Sequence, residues 1–507
     1  MIMSTAPHNN ATLTHGGLLA KNVIYNLLGM LLPLVVAMMT IPRLVKGLGT
    51  ERFGVLALSW VVLGYFGVFD FGLGRVITKM IGEKLGKHQG SDVASIAWTG
   101  LFFLGMLGLV MAALLYMIAP LLVFRILKIS AVLQQESLSA FRVLSLSVIF
   151  VILTVGLRAT QEAYQKFAIL NVIRTLNGIL IYLAPLLLLP FTRIISHYVW
   201  ALTGVRLVIM LINGAACAVQ FPTIRRRPII DLQLAKPMFR LGGWMSISNL
   251  IGPIMVYFDR FLMGAWISVA AVAFYVTPYE VIIKLLVITS AVVQVLFPAF
   301  SVSTSTENQK TALLYSRGIR ILNLAFFPVV LAVILFSRTG LALWLTPEFA
   351  EKSTGVAQWL AIGIFLNAPG QIAYSLLQAG GRPDLTAKVH VFETPVYLAA
   401  LYFGVKYGGI TGAAIAWTLR LLVETFVLFY LAEKMIPHAI EKQREYKLFT
   451  LAATILFAAL TFFSLTMVQS VLLFIVILLA ALVWFGLALV NPAEFKSIYA
   501  VIRGQRS

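Results

Sequence analysis

Cysteine is almost absent from this chain: Cys217 is the only one in 507 residues. That excludes an internal disulfide framework and most cysteine-based metal sites, and leaves Cys217 as a small apolar helix residue. Charge is scarce as well, at 11% of residues against 60% hydrophobic. Soluble domains carry about 25% charged residues, so this chain has too little polar surface to cover itself in water. Acids are scarcest, 19 Asp and Glu against 39 Lys and Arg. Long polar connections are missing too, the longest being 221–237, which leaves no room for a soluble catalytic domain. There is no GxxxxGK[ST] loop, no HExxH and no CxxC, and the six histidines are scattered, so the chain shows no sign of ATP, metalloprotease or thiol chemistry.

What the chain has is apolar runs of the length that crosses a bilayer, about 20 residues. The stretch "AALTFFSLTMVQSVLLFIVILLAALVWFGLALV" (458–490) is apolar almost throughout, unlike the short alternating strands of an outer-membrane barrel. A helix satisfies every backbone group internally in lipid, so the reading is an all-α polytopic membrane protein. Helices are predicted near 22–45, 53–74, 93–124, 139–160, 168–190, 194–220, 238–264, 270–300, 312–337, 356–379, 385–404, 410–436, 447–468 and 470–490, about fourteen spans. The first run is long and lacks a small-residue cleavage site, so it reads as a retained span rather than a signal peptide.

The net charge of +20 invites a nucleic-acid reading, which its placement removes. About 23 of the Lys and Arg fall in alternate connections, Arg75, Lys79, Lys84, Arg225, Arg226 and Arg227 among them, against about 9 on the other side. The basic side is the cytoplasm, and both termini are expected there. The expected organisation is a cytoplasmic tail (1–21), a first lobe (22–220), a basic inter-lobe loop (221–237), a second lobe (238–436), two further helices (437–490) and a cytoplasmic tail (491–507). A weak internal echo supports the division: "NLLGMLLPLVV" from Asn26 and "NLIGPIMVYF" from Asn249, then "FGVLAL" from Phe53 and "FYVTPY" from Phe274. Six helices between equivalent points give the halves one orientation, as in parallel transporter repeats. Breakers inside predicted helices, Pro33, Pro42, Gly252, Pro253, Pro369 and Gly370, bend helices and suit a rocking transporter.

Seven basic residues remain within spans: Arg142, Arg174, Arg206, Arg260, Lys284, Arg320 and Arg420. Facing lipid, each would cost roughly 2.5–3.5 kcal/mol, so they must snorkel, pair or line a wet cavity. Arg142 and Arg260 lie near outer helix ends and Arg174 near an inner end, where snorkelling is available. Glu280 with Lys284, and Arg420 with Glu424, are four apart and positioned for local ion pairs. Asp259 and Arg260 are adjacent and point apart. Arg320 is intermediate. Arg206 is mid-helix with no local acid and is the first candidate for a cavity cation. The carboxylates Asp70, Asp259, Glu280, Glu393 and Glu424 complete the inventory, as charge partners or as coupling groups for a proton or sodium gradient. Asp70 sits in a glycine-rich setting, "YFGVFDFGLGR", that permits close helix approach. A cationic cavity in a bilayer suits an anionic, amphiphilic cargo, because Arg forks bind phosphate oxygens well.

The stretch from Asn26 to Gly74, with Pro42-Arg43, the LGxxxFG turn (Leu48, Gly49, Phe53, Gly54) and Asp70-Phe71-Gly72, resembles the N-terminal signature of Wzx-type polysaccharide-unit flippases of the multidrug/oligosaccharidyl-lipid/polysaccharide (MOP) exporter superfamily. In the second half Asp259, Gly264 and Tyr275, then "LLQAGGRPDLTAK" and "YGGITGAAIAWTLR", are similar to later motifs of the same family. The resemblance covers roughly 20–435. It implies two six-helix, MATE-like lobes around a central cavity, plus two C-terminal helices. The implied cargo is an undecaprenyl-diphosphate-linked oligosaccharide for O-antigen, capsule or a related polymer, held by cavity Arg and Lys while its tail stays in the lipid. It also implies a bacterial inner-membrane location, a polysaccharide polymerase and chain-length regulator as partners, no catalytic residue and no bound cofactor. Within the superfamily the alternatives are a lipid II flippase and a cation-coupled multidrug exporter. The exporter is disfavoured by a predicted first helix that holds no acid. A glycosyltransferase or polymerase is disfavoured by short, featureless outer loops.

Overall fold

The computed structural model describes residues 16–67, 70–86, 93–164, 166–221, 230–239, 258–306, 308–436, 440–463 and 465–489. Every regular element among them is helical. In the first half these are α1 (Gly16–Leu48), α2 (Thr50–Phe66), α3 (Leu73–Gly86), α4 (Val93–Leu121), α5 (Ala131–Ala163), α6 (Phe167–Leu188) and α7 (Ile195–Gln220). After a helical stretch at 258–266 come α8 (Val269–Ile282), α9 (Leu286–Thr306), α10 (Asn308–Trp344), α11 (Pro347–Ala379), α12 (Pro383–Met435), α13 (Ile440–Leu460) and α14 (Met467–Leu489). Nine helices among the described residues are long and apolar enough to cross a membrane. The expected internal echo from Asn249, the breakers Gly252 and Pro253, Arg225 to Arg227, residues 1–15 of the expected N-terminal tail and the C-terminal tail lie outside the described residues, while residues 16–21 of the expected tail belong to α1.

Four predicted spans differ in detail, for three local reasons. The helix expected over 53–74 stops at Phe66 and restarts at Leu73. Asp70, buried in the turn, accepts hydrogen bonds from the Gly72 and Gly74 amides at 2.9 and 2.8 Å, satisfying donors that a helix start leaves orphaned. The span expected over 270–300 is interrupted by a 3-10 turn at Ile283–Leu285. The spans at 385–404 and 410–436 run on as α12, folded back at Gly409 with φ 57°, a backbone region that costs glycine nothing. Beside that kink a Cβ on Gly404 would lie 2.5 Å from the Gly412 carbonyl oxygen, so the two arms of α12 touch backbone to backbone.

Packing separates the helices into two groups. In the first, α5 packs against α4, α7 and α3, and α6 against α1 and α7; in the second, α11 packs against α10, α12, α9 and α8. The groups meet chiefly where α2 lies on α8. The polar contacts there gather at one end of the molecule. The Lys128 amide donates to the Gly264 carbonyl at 2.9 Å, the Val269 amide to the Lys128 carbonyl at 3.3 Å, and the Lys128 ammonium to the Trp266 carbonyl. The Trp344 indole N–H donates to the Met38 carbonyl at 2.7 Å. The first half is braced behind this seam: the Arg52 fork holds Glu136 at 3.2–3.3 Å, and Glu51 accepts from the Ser130 amide at 2.7 Å. Deeper in, the Tyr182 hydroxyl of α6 donates to Glu280 of α8 at 3.3 Å.

Candidate functional site

The sequence-predicted cations and acids sort into two clusters and five residues outside them. The first cluster is in the first half. Arg206 of α7 and Arg174 of α6 line one cavity of about 210 Å3, together with Arg158 and Thr154 of α5, Asn177 of α6 and Asn213 of α7. Asn177 fixes Arg206, accepting from Nη1 at 2.9 Å. The Arg206 Nε is buried without a hydrogen-bond partner. Asn213 is fully buried, donating to the Ile209 carbonyl at 2.8 Å and accepting from Gln161 at 3.0 Å. Arg158 and Arg174 act on each other as like charges, and Glu162 is 3.7 Å from Arg158. This wall is therefore cationic, with guanidinium donors to spare.

The second cluster is in the second half and is mixed in sign. Asp259 and Arg260 are buried; the Asp259 carboxylate accepts from the Arg260 amide at 2.8 Å, and the Arg260 guanidinium lies 4.1 Å over the Tyr279 ring. Desolvated cation–π contacts of this kind contribute about 2 kcal/mol, which helps offset burial of the charge. Arg420 on the second arm of α12 lies 3.2 Å from Glu424, stacks over Tyr397 at 5.4 Å and acts electrostatically on Asp259. Glu393 on the first arm meets His390 Nδ1 at 2.9 Å, and Glu424 lies 3.9 Å from the same nitrogen.

The remaining predicted residues lie outside the two clusters, with Glu280 near enough to act on Arg260. Glu280 does not reach Lys284, which is exposed at the 3-10 turn; the carboxylate takes the Tyr182 hydroxyl instead. Arg142 is exposed, 5.1 Å over the Tyr116 ring in a recess with Gln135 and Trp200. Arg320 is buried within α10. Asp70 is the cap of α3, and both its oxygens are occupied by backbone amides rather than by an arginine.

Sequence reasoning missed Arg158, Asn177, Asn213, Tyr397 and His390. The seven basic residues expected within spans leave out Arg158, which lies inside α5, a helix that runs to Ala163. His390 precedes Glu393 by one helical turn, a signal the sequence did contain. A further one is the step Tyr-Leu-Ala, which occurs at 182–184 and again at 397–399. In each half it lies one helix before the arginine that enters a cluster, Arg206 or Arg420.

Comparison with known proteins agrees with this architecture. Residues 43–354 match the family model described as polysaccharide biosynthesis protein. The chain is 31% identical over 416 residues to a putative O-antigen transporter of Shigella flexneri, covering 82% of this chain and 98% of that one. It is 23% identical over 405 residues to the lipopolysaccharide biosynthesis protein WzxC of Escherichia coli (strain K12), covering 77% and 76%. Among solved structures, an inward-facing multidrug resistance MATE family transporter of the MOP superfamily aligns with a TM-score of 0.64 at 16% identity, covering 81% of this chain and 98% of that one, which shows the shared fold. The chain belongs to the polysaccharide biosynthesis protein family.

Proposed function

We propose that this transporter flips lipid-linked oligosaccharide repeat units across the membrane, and that the first-half cavity receives their phosphate-bearing head. The observation that carries this reading is Arg206, held by Asn177 with Nε buried and unpartnered, in a wall shared with Arg158 and Arg174. A diphosphate-sugar head cannot cross hydrocarbon unaided, since bare charge and unpaired hydroxyls are both costly there. Guanidinium forks replace its hydration, and the amide nitrogen of Asn177 remains a donor for a sugar hydroxyl. The isoprenoid tail stays in the bilayer, and the carrier that fits is an undecaprenyl diphosphate.

The seam through Lys128, Gly264, Trp266, Val269 and Trp344 lies at the end where few Lys and Arg gather, which the charge distribution makes the outer end. Closed there, the protein takes cargo from the cytoplasmic leaflet of a bacterial inner membrane and releases it outside when the seam opens. A polymerase and its chain-length regulator would take the unit from there. A multidrug exporter of the same superfamily is supported less well, because α1 carries no acid and the cavity attracts anions, not cationic drugs.

The test uses purified protein in liposomes with a fluorescent polyprenyl-diphosphate oligosaccharide and an impermeant quencher. A hydrogen bond to a charged group contributes about 1.5–3 kcal/mol, so Arg206→Ala is expected to slow leaflet exchange by about 10–150-fold. Full exchange in Arg206→Ala removes the cavity from the reading; no exchange in the wild type removes this cargo.

A further inference from the structure

The first half has a second recess, of about 340 Å3, which shares no lining residue with the Arg206 cavity. It lies over one face of α5, where Gln135, Ser139, Arg142 and Leu146 follow one another at helical spacing and are all exposed. Tyr116 of α4 and Trp200 of α7, 49% and 53% exposed, supply its walls. No acid lines it, and none of the ion pairs among the described residues includes Arg142. The guanidinium has the Tyr116 ring at 5.1 Å, which orients the cation without neutralising it. An arginine on the outer face of a spanning helix is costly unless something pairs with it.

Depth says what that partner is. The 33 residues of α5 make a helix about 50 Å long. Centred on a hydrocarbon core of about 30 Å, it extends about 10 Å past the lipid at each end. Gln135 is about 6 Å from the helix start at Ala131 and Arg142 about 17 Å. Gln135 therefore stands at headgroup level, and Arg142 lies just inside the hydrocarbon edge, within snorkelling reach of the phosphates. Leu146, one turn deeper, faces the acyl chains. Trp200, five residues into α7, has the depth at which interfacial aromatic residues gather. The recess is thus polar towards the membrane surface and apolar towards its middle, the order in which a phospholipid presents headgroup and chain.

We propose that this recess binds the headgroup phosphate of an anionic glycerophospholipid from the leaflet on the seam side, the outer one in the orientation given above. The Arg142 fork pairs with the phosphate oxygens. Gln135 and Ser139 offer further donors, and the two aromatic walls pack against the upper part of the chains. A single guanidinium matches the single charge of a phosphodiester. A diphosphate carries more, and the three arginines of the cavity suit it better. The lipid would sit against α4, α5 and α7 beside Glu136, which holds Arg52 of α2 and accepts from the Ile195 amide of α7, so it backs the brace behind the seam. The site does not depend on what the cavity carries, and failure of the flippase reading leaves it standing.

Native mass spectrometry of the full-length protein tests this, with detergent-solubilised protein titrated with phosphatidylglycerol or with phosphatidylcholine of the same chains. The wild type should retain one phosphatidylglycerol in preference to phosphatidylcholine. Arg142→Ala should weaken that binding about tenfold, the lower end of what a hydrogen bond to a charged group contributes. Arg142→Gln, which keeps the stem of the side chain, should do the same, and Arg142→Lys should keep the preference because it keeps the charge. Arg193→Ala removes another exposed cation, between α6 and α7, and should bind as the wild type does. Equal affinity for the two lipids, or phosphatidylglycerol binding unchanged in both Arg142→Ala and Arg142→Gln, would reduce Arg142 to a snorkelling side chain and overturn the site. An equal loss in Arg193→Ala would show attraction to diffuse surface charge and also overturn it. Displacement of phosphatidylglycerol one for one by a polyprenyl diphosphate would give the recess to the cargo instead, which overturns the proposal as well.

Discussion

Opening of the outer seam can be forced from a single position. Gly54 of α2 faces the N-terminus of α8 so closely that a Cβ there would lie 2.2 Å from the Val269 carbonyl oxygen and 2.8 Å from its carbon. Those are backbone atoms and cannot rotate away. Ordinary contact begins near 3.4 Å, so Gly54→Ala requires the two helices to part by about 1 Å in an interface otherwise packed to crystal-like density. Overpacking of this kind costs about 1–3 kcal/mol, and at 1.4 kcal/mol per tenfold the closed state loses about 5–150-fold in population against any state in which α2 and α8 separate. The assay is a pulsed-EPR distance between spin labels at Val132 and Leu343, which are 85% and 82% exposed and adjoin the seam from opposite halves, in a Cys217→Ala background. Gly54→Ala should add a longer distance population. Gly204→Ala, where a Cβ meets nothing within 4 Å, should not. A folded Gly54→Ala protein with the wild-type distance distribution would show that the strain is absorbed within α2, and that α2 against α8 is not the moving contact.

Two more predictions use other contacts. Asp70→Ala removes the cap of α3 and should lower stability by about 0.5–2 kcal/mol in thermal unfolding, whereas Asp70→Asn keeps one of the two acceptors and should melt between Asp70→Ala and the wild type; wild-type melting of Asp70→Ala would contradict the capping role. Tyr182→Phe deletes the hydroxyl that joins α6 to Glu280 at 3.3 Å, and with charge-assisted bonds contributing about 1.5–3 kcal/mol it should shift the same spin-label distances toward the separated population, though less uniformly than Gly54→Ala; an unchanged distribution would remove Tyr182 as a tie between the halves.

The fold was legible because its main determinant is one-dimensional. Span length and hydropathy depend only on consecutive residues, and the breaks at Asp70 and Gly409 disturb helices locally without moving the spans. The site was legible only in part, since spacing along one helix says nothing about which other helix lies opposite. Glu280 and Lys284 share a face by sequence, yet Tyr182, nearly a hundred residues earlier, supplies the actual partner. Asp70 looked like a membrane carboxylate because side-chain-to-backbone bonds leave no signature in charge pairing. Glu393 and His390 were one turn apart in plain view, but their meaning needed Glu424 from the returning arm of α12, and that approach is set by the backbone contact of Gly404 with Gly412.

Both halves carry a tyrosine on one helix and an arginine on the next, Tyr182 with Arg206 and Tyr397 with Arg420, but the neighbours differ. Arg206 is met by the neutral amide of Asn177, and Arg420 by the carboxylate of Glu424. A guanidinium held by an amide keeps its charge available to an incoming anion; a guanidinium held by a carboxylate is neutralised and can instead sense a second carboxylate and an imidazole. The arginine that follows each Tyr-Leu-Ala step is therefore held by a neutral amide in one half and by a carboxylate in the other, while the Tyr182–Glu280 bond ties the helix carrying Asn177 to the helix that packs beside Arg260 and α12. Replacing Asn177 by Asp would copy the second half into the first, placing a carboxylate 2.9 Å from Arg206 Nη1 if the geometry is kept. At an effective dielectric constant of about 20 a unit-charge contact near that range is worth about 4 kcal/mol, enough to compete with a phosphate for the guanidinium. Asn177→Asp should accordingly weaken cargo exchange at least as severely as Arg206→Ala in the liposome assay; an Asn177→Asp protein that exchanges cargo at the wild-type rate would mean that the charge state of Arg206 does not matter to the cargo, and that the two halves do not divide the work in this way.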